Sequence, residues 1–273
     1  MPEREISVKA KQNGVAKAAR VIFAFSLVLM LLSAFLLFSA WRRDRAAMRY
    51  WAGIAEKRAE YLEKEPDILH AFQSLHAENS DIVGWLRMED ARIDYPVMQT
   101  KDAPEYYLRR NFDREYAVSG TPFVDSRCEV VPVQGFNTII YAHNTTFFWL
   151  YQRGVDRGYY AKDQYLRFDT LVETGLYQVA AAFYADATDA KILYEWDAED
   201  AQAYTFYNYL EIDSPAGFRK YMDGITENRL FDTDVVITMD SHILTLVCCA
   251  LEPYSGIPEN GRFVLIAKRV EES

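Results

Sequence analysis

Two adjacent cysteines, Cys248 and Cys249, lie in the stretch TLVCCALEP near the end of a chain that has one other cysteine. A cysteine acts as a nucleophile in its thiolate form, which a positive neighbour favours. Successive side chains of a strand alternate between its two faces, so a strand through HILTLVCC puts Leu246 and Cys248 on one face and Cys249 on the other. The leucine face is the expected core face. Cys248 is therefore predicted to pack inward as a small hydrophobe, and Cys249, at the end of the strand, to be available for chemistry.

His143 and Arg262 are the candidates for the positive neighbour. His143 follows the apolar segment NTIIYA and precedes a turn-like stretch, so a scaffold would hold it open to a ligand. Arg262 opens the last predicted strand; it stays protonated and can stabilise a developing oxyanion. His242 is less suitable, because its odd offset from Cys249 turns it to the opposite face. From spacing alone, a Cys–His–Arg site and a set of packed thiols with a solvated arginine are both consistent with the chain.

The segments that must position these residues are mostly predicted strands. IVGWLRM and ARIDYPVMQ alternate around the turn-like Glu89-Asp90, which favours a strand pair. Helices are predicted over residues 67–76 and 201–210, and from the cap Ser214-Pro215 to residue 227. The sum is a mostly β domain with added helices, arranged as a closed barrel. The remaining predicted strands are TPFVD (121–125), NTIIYA (137–142), LYQVAAAFYA (176–185), DVVITM (234–239), HILTLVC (242–248) and RFVLIAKR (262–269).

An uncharged apolar run, Val21 to Trp41, precedes this domain. At about 1.5 Å per residue it would span roughly 30 Å as a helix, the thickness of a bilayer core. The run is longer than the apolar part of a cleaved secretory signal, and Ser39-Ala40-Trp41-Arg42 is a poor cleavage site. We therefore expect an uncleaved signal anchor rather than a buried core helix. An amphipathic helical stem is predicted to follow it.

Charge divides the chain unevenly. Residues 1–49 hold nine Lys and Arg against three Asp and Glu; because the whole chain has a formal net charge of −10, the rest carries −16. Such an acidic domain argues against nucleic acid as a partner, whereas the basic flanks of the span suit anionic lipid headgroups. The positive-inside rule does not orient the span, since basic residues flank it equally. They are Lys9, Lys11, Lys17 and Arg20 before it and Arg42, Arg43, Arg45 and Arg49 after it.

Taken together, the segments NTIIYAHN, LTLVCCALE and NGRFVLIAKR resemble the three active-site segments of a sortase. NSDIVGWLRMEDARIDYPVMQ, YYLRRNF and GTPFVD resemble the segments that lead into the sortase barrel, in the same order. The helical insertion predicted between about residues 200 and 228 is similar to that of class B sortases. The resemblance extends from about Asn79 to Val270. It implies a closed eight-stranded sortase-type β-barrel, preceded by the transmembrane helix and the helical stem.

The resemblance also implies a role for each candidate. The final Cys of the family's Thr-Leu-x-Thr-Cys motif is the nucleophile and falls on Cys249; the family's histidine and arginine fall on His143 and Arg262. The implied activity is that of a cysteine transpeptidase of the Gram-positive cell wall. It would cleave the C-terminal sorting signal of a secreted protein after Thr, through a thioacyl-enzyme, and transfer the acyl group to an amine of peptidoglycan or of a pilin. Such chemistry needs no metal and no cofactor.

Three further residues are candidates for substrate binding: Tyr141, Val247 and Cys248. Cys248 replaces the Thr that usually precedes the nucleophile, and Val247 replaces a Ser common in class B, so a hydroxyl is missing there. Tyr141 keeps its family place two residues before the histidine, although a packed strand tyrosine accounts for it equally well. The departures at Val247 and Cys248 keep open a catalytically inactive sortase-like binding or scaffold module. A hydrolase that releases the sorting signal to water is a second alternative, because the sequence does not determine whether an amine outcompetes water at the thioester.

Because sortases act outside the membrane, the resemblance also implies an orientation and a domain division. Residues 1–20 are expected to be a cytoplasmic basic N-terminus and residues 21–41 a single-pass signal anchor in the cell membrane. Residues 42–76 are expected to form the helical stem and residues 77–273 the extracellular catalytic barrel. The expected partners are the lipid bilayer, through Val21–Trp41, secreted proteins with sorting signals, and an acceptor amine.

Overall fold

The structure is a computed structural model that describes residues 2–64, 68–89, 91–147, 150, 164–186, 206–250 and 261–271. The chain divides into two compact units, Met1–Tyr50 and Trp51–Ser273. All the candidate site residues belong to the second unit.

The long helix α1 runs from Pro2 to Lys64. It includes both the predicted span and most of the predicted stem. Among the described residues it is the one helix long and apolar enough to cross a membrane, and none of its most apolar window is buried in the protein. This disfavours a core helix. A signal sequence near the N-terminus shares these properties, so the membrane anchor stays a proposal.

Two further helices agree with the sequence prediction. Helix α2 covers Ile68–Glu78, and helix α3 covers Pro215–Asn228. The Ser214 hydroxyl accepts a hydrogen bond from the Gly217 amide at 3.1 Å, so the predicted N-cap with proline at the first helical position is confirmed. Of the helix predicted over residues 201–210, residues 201–205 lie outside the described part, and the remainder contains a short 3-10 turn, Phe206–Asn208.

Eight strands of the described chain form a closed barrel, as predicted, and their order in it is β1-β2-β3-β4-β7-β8-β6-β5. The β2–β3 and β4–β7 pairs are parallel, and the other pairs are antiparallel. The bounds are β1 Ile82–Met88, β2 Ile93–Met98, β3 Phe123–Val124, β4 Asn137–Ala142, β5 Tyr165–Thr170, β6 Leu176–Asp186, β7 Ile243–Cys249 and β8 Gly261–Val270.

Two strand assignments differ from the sequence prediction. The strand predicted at DVVITM, residues 234–239, is wrong: the segment is irregular, with Val236 exposed and the Thr238 amide bonded to the Ser241 hydroxyl at 2.9 Å. A closed barrel offers no free edge with which this segment could pair. Strand β5 was not predicted, because Arg167 and Asp169 interrupt its apolar residues.

An apolar cluster of described residues fills the barrel, and each strand contributes to it. Because alternate side chains of each strand point inward, the remaining strand residues face the outside of the barrel. One member from each strand, in order from β1 to β8, is Leu86, Ile93, Val124, Ile140, Phe168, Val179, Leu246 and Leu265.

The last part of α1 packs against the outer face of the barrel. Trp51 and Ile54 are buried, and Arg58 is 9% exposed. The Arg58 guanidinium lies 5.0 Å from the ring centre of Trp85, with Nη2 3.8 Å from Oδ2 of the buried Asp169. A cation over an indole ring and beside a carboxylate is a specific, partly desolvated contact. It attaches this end of the helix to β1 and β5.

Gly84 supplies a test of the β1–β5 contact. A Cβ at this position would lie 2.5 Å from the Asp169 carbonyl oxygen and 2.7 Å from the Phe168 ring. Gly84→Ala is therefore expected to lower the free energy of unfolding by about 1–3 kcal/mol, since the added methyl overpacks the contact. The measurement is urea unfolding of the full chain in detergent, followed by tryptophan fluorescence.

The matched control is Gly53→Ala in α1, where a Cβ meets nothing within 4 Å. Because alanine is the better helix former, this change is expected to raise the stability by up to about 1 kcal/mol. Equal effects of the two substitutions would contradict the close approach at Gly84.

Candidate active site

Three neighbouring strands bring the predicted catalytic residues to one end of the barrel. Strands β4 and β7 run parallel with Ala142 opposite Cys248, and β7 and β8 run antiparallel with Cys249 opposite Arg262. His143 directly follows Ala142, so the register puts it beside Cys249. We call His143, Cys249 and Arg262 the triad.

The triad residues share the outer face of the barrel. The core cluster includes Ala142, Cys248 and Phe263, which are the strand neighbours of the triad residues. Since adjacent side chains alternate between faces, the triad points away from the core. Residues far apart in sequence thus meet on one surface.

The three cysteines are all free but differ in their surroundings. Cys249 is partly exposed, whereas Cys248 is 2% exposed and Cys128 is 5% exposed. Burial raises the pKa of the Cys128 thiol to about 12 and also raises the pKa of Cys248. A buried thiol that resists ionisation is a poor nucleophile, so Cys249 is the thiol that this structure makes available.

The half-buried His143 lies in a short turn that fixes its backbone. The Thr146 amide bonds to the His143 carbonyl at 2.9 Å, and the Thr145 hydroxyl lies 3.4 Å from Nδ1. Burial lowers the pKa of His143, and the positive charge of Arg109 lowers it further. The imidazole is therefore mainly neutral near pH 7 and can accept a proton.

Arg262 is half-buried, and its Nη1 donates to the Gly261 carbonyl at 3.0 Å. Its charge acts to lower the pKa of Cys248, against the larger effect of burial, so the guanidinium is within electrostatic reach of the cysteine pair. The loop ALEPYSGIPENG, between β7 and β8, lies outside the described residues except for its first and last positions.

Two of the predicted substrate-binding residues form an apolar floor next to Cys249. Val247 is opposite Tyr141 on one side and Val264 on the other, and all three belong to the outer face. Tyr141 is 9% exposed and Val247 2%. The Tyr141 hydroxyl donates to Asp125 Oδ2 at 3.1 Å. The third predicted residue, Cys248, packs inside the barrel.

Asp125 anchors this floor, and sequence reasoning did not identify it. Burial acts to raise the pKa of its carboxyl, but hydrogen bonds from the Arg127 side chain and backbone and from Tyr141 outweigh burial and lower the pKa. The Arg127 contacts measure 2.8 Å from Nε and 2.7 Å from Nη2. The available signal was the end of the TPFVD strand, where a polar residue follows buried ones.

Arg109 was also missed, although it lies in the quoted segment YYLRRNF. Spacing cannot tell which of two adjacent arginines faces His143. In the structure the Arg110 guanidinium lies 4.5 Å from the ring centre of Tyr106. The charge of Arg109, in contrast, lowers the pKa of His143. Within the described ranges, no group of three or more His, Cys, Asp or Glu side chains could hold a metal ion.

Comparisons with known proteins point to one family. Sortase B of Listeria monocytogenes serovar 1/2a (strain ATCC BAA-679 / EGD-e) is 28% identical over 257 residues, covering 90% of this chain and 96% of the relative. Sortase B of Staphylococcus aureus (strain NCTC 8325 / PS 47) is 28% identical over 207 residues, covering 74% and 75%. A crystal structure of Sortase B from S. aureus complexed with MTSET has a TM-score of 0.68 at 25% identity, covering 84% of this chain and 91% of that one. No protein-family model matches the chain.

The burial pattern predicts that one cysteine reacts in the folded protein. Iodoacetamide at pH 8 is expected to add one carbamidomethyl group to the native chain, at Cys249, and three groups after unfolding in urea, because the other two thiols are buried. Mass spectrometry of the intact chain and its peptides gives the count. Cys249→Ala should show no rapid labelling, and Cys248→Ala should be labelled as fast as the wild type. Rapid labelling of Cys249→Ala would contradict the burial of the other two thiols.

The surroundings of His143 predict a shifted titration. Its imidazole is expected to take up a proton below the usual pKa of about 6.5, and Arg109→Gln should raise the pKa because it removes a repelling cation. NMR of the histidine ring protons measures both, with His143→Gln used to assign the signal. Arg110→Gln is the matched control, and an equal shift in both variants would mean that the effect is not specific to Arg109.

Proposed function

We propose that this chain, a sortase-family protein most similar to class B sortases, is a membrane-anchored cysteine transpeptidase. The observation that carries the proposal is the register of β4, β7 and β8, which aligns His143, Cys249 and Arg262 on one surface. The substrate is a C-terminal sorting signal of a secreted protein, cleaved after Thr. The acceptor is an amine of the Gram-positive cell wall, in peptidoglycan or in a pilin.

In the first half-reaction, Cys249 Sγ attacks the carbonyl carbon of the Thr residue as His143 takes the thiol proton. The negative charge that develops on the carbonyl oxygen is stabilised by the Arg262 guanidinium. The C–N bond then breaks, and the imidazolium of His143 gives its proton to the leaving amine. The product is a thioester on Cys249.

In the second half-reaction, the acceptor amine attacks the thioester carbon and His143 accepts a proton from it. The thiolate of Cys249 leaves and recovers a proton from the imidazolium. The lowered pKa of His143 suits this step, since a neutral imidazole is ready to act as the base. Tyr141, which at 9% is the most exposed of the three floor residues, would contact the substrate next to the thiol, and Val247 and Val264 pack beside it.

The proposed topology follows from this activity. Residues 1–20 lie in the cytoplasm, residues 21–41 cross the cell membrane, residues 42–76 form the stem, and residues 77–273 form the catalytic domain outside. The apolar, unburied part of α1 supports the anchor, and the basic residues at both ends of the span suit anionic lipids.

The nucleophile is tested with a pooled library of quenched-fluorescent pentapeptides that fix Thr at the fourth position, with triglycine as acceptor. The full chain in detergent is expected to cleave members of the library. Cys249→Ala should lose at least about 1000-fold in turnover, because no thioester can form, whereas Cys248→Ala should retain most of it. Loss in Cys248→Ala alone would overturn the assignment.

The same assay separates the rival activities. Transfer gives a product extended by triglycine, whereas a hydrolase gives the free acid with or without added amine, so product mass decides. If the wild type neither cleaves any peptide nor forms an adduct at Cys249, the inactive binding or scaffold module is the correct interpretation.

A further inference from the structure

Arg109 and the turn that contains His143 are held by the same short segment. Arg109 Nη1 donates to the Val118 carbonyl at 2.6 Å. The next carbonyl, that of Ser119, accepts from the Thr146 hydroxyl at 2.7 Å. Two consecutive carbonyls therefore fix the guanidinium on one side and the histidine turn on the other.

That segment has little freedom to move. Gly120 has a φ of 59°, and a Cβ there would lie 2.3 Å from the Leu108 carbonyl oxygen. The Thr121 amide donates to the Tyr107 carbonyl at 2.9 Å. Only glycine combines this left-handed backbone with so close an approach, so the position of Arg109 follows from the fold of its own loop.

Arg109 lies on the opposite side of His143 from Cys249. Its segment leads into β3, which pairs with β4 on the side away from β7 and β8. Across this end of the barrel the order is therefore Arg109, His143, Cys249 and Arg262. The effect of the Arg109 charge on His143 supports their proximity. The two arginines bracket the histidine and cysteine.

This order assigns different parts of the substrate to the two arginines. Because Arg262 lies beside the thiol, we expect it to contact the acyl part of the substrate. A side chain on the far side of His143, such as Arg109, is expected to contact the part that carries the amine, which this histidine protonates or deprotonates. The Arg109 side chain is exposed and makes no ion pair with any described residue. In a domain of strongly negative net charge, it offers a planar donor group that fits a carboxylate.

We propose that Arg109 binds a carboxylate of the acceptor, so that the preferred acceptor is an amine that carries a free carboxylate on the adjacent carbon. The inference rests on the proposed transpeptidase function and names its acceptor class. The cation also disfavours the ammonium form of a neighbouring amine and so increases the fraction of neutral amine next to His143. Arg109 is thus an acceptor-binding residue.

The test compares two small acceptors, alanine and alaninamide, which differ in the carboxylate. The acyl donor is the library peptide that loads Cys249 fastest, and transfer to each acceptor is measured by product mass in the full chain and in Arg109→Gln. The wild-type preference for alanine over alaninamide should exceed that of Arg109→Gln by roughly threefold to fivefold, and the excess should shrink as salt is added.

The rate of transfer to each acceptor is compared between the wild type and Arg109→Gln. The difference in amine basicity between alanine and alaninamide therefore cancels. A change in the basicity of His143 alters both transfer rates in proportion, so the ratio reports the carboxylate alone. Arg110→Gln is the matched control and should keep the wild-type ratio, since its guanidinium lies over Tyr106 and its Nη1 bonds the Arg114 carbonyl at 3.1 Å.

Failure of this inference is distinct from failure of the proposed function. If Cys249 is acylated and both amines are accepted with the same ratio in wild type and Arg109→Gln, the acceptor role is wrong and the transpeptidase stands. If Arg109→Gln slows acylation of Cys249 without changing the ratio, Arg109 serves the donor peptide instead and the inference is overturned. If no thioester forms at Cys249 in the wild type, both proposals fall.

Discussion

The register of three adjacent strands, β4, β7 and β8, is the constraint on which the rest of the molecule depends. A shift of β7 by one residue would turn Cys249 into the barrel and Cys248 out of it, because side chains alternate with a period of two. The same shift would expose Leu244 and Leu246, which belong to the core. Burial of the leucines and exposure of Cys249 therefore depend on the same register, and core packing holds the candidate site in place.

The sequence predicted the barrel well where apolar residues alternate strongly, as in NTIIYA and ILTLVCC. It failed where strand formation depends on the whole sheet. DVVITM has strand-like residues but no partner in a closed barrel, whereas YLRFDT is a strand despite two charged residues. The buried Asp169 lies near Arg58 from α1. A local sequence pattern does not predict a contact between segments so far apart along the chain.

At the site, alternation and family resemblance together identified the candidate nucleophile, histidine and arginine, and the structure brings these residues together on one face. What could not be predicted is their electrostatic setting. The pKa of His143 depends on burial and on Arg109, which reaches it through a loop fixed by Gly120. The support of Tyr141 by Asp125 likewise arises from tertiary contacts. Such effects depend on distances across the fold rather than on spacing along the chain.

The opposite orientation of Cys248 and Cys249 has a consequence for redox chemistry. A disulfide needs its two Cβ atoms close together and directed towards each other, which neighbouring residues of a regular strand do not offer. The third cysteine, Cys128, is buried and bonds the Asn137 carbonyl at 3.6 Å. An oxidant that converts Cys249 to a sulfenic acid therefore leaves it without a resolving thiol in its own chain. Recovery of the reduced thiol then depends on a reductant supplied from outside the protein.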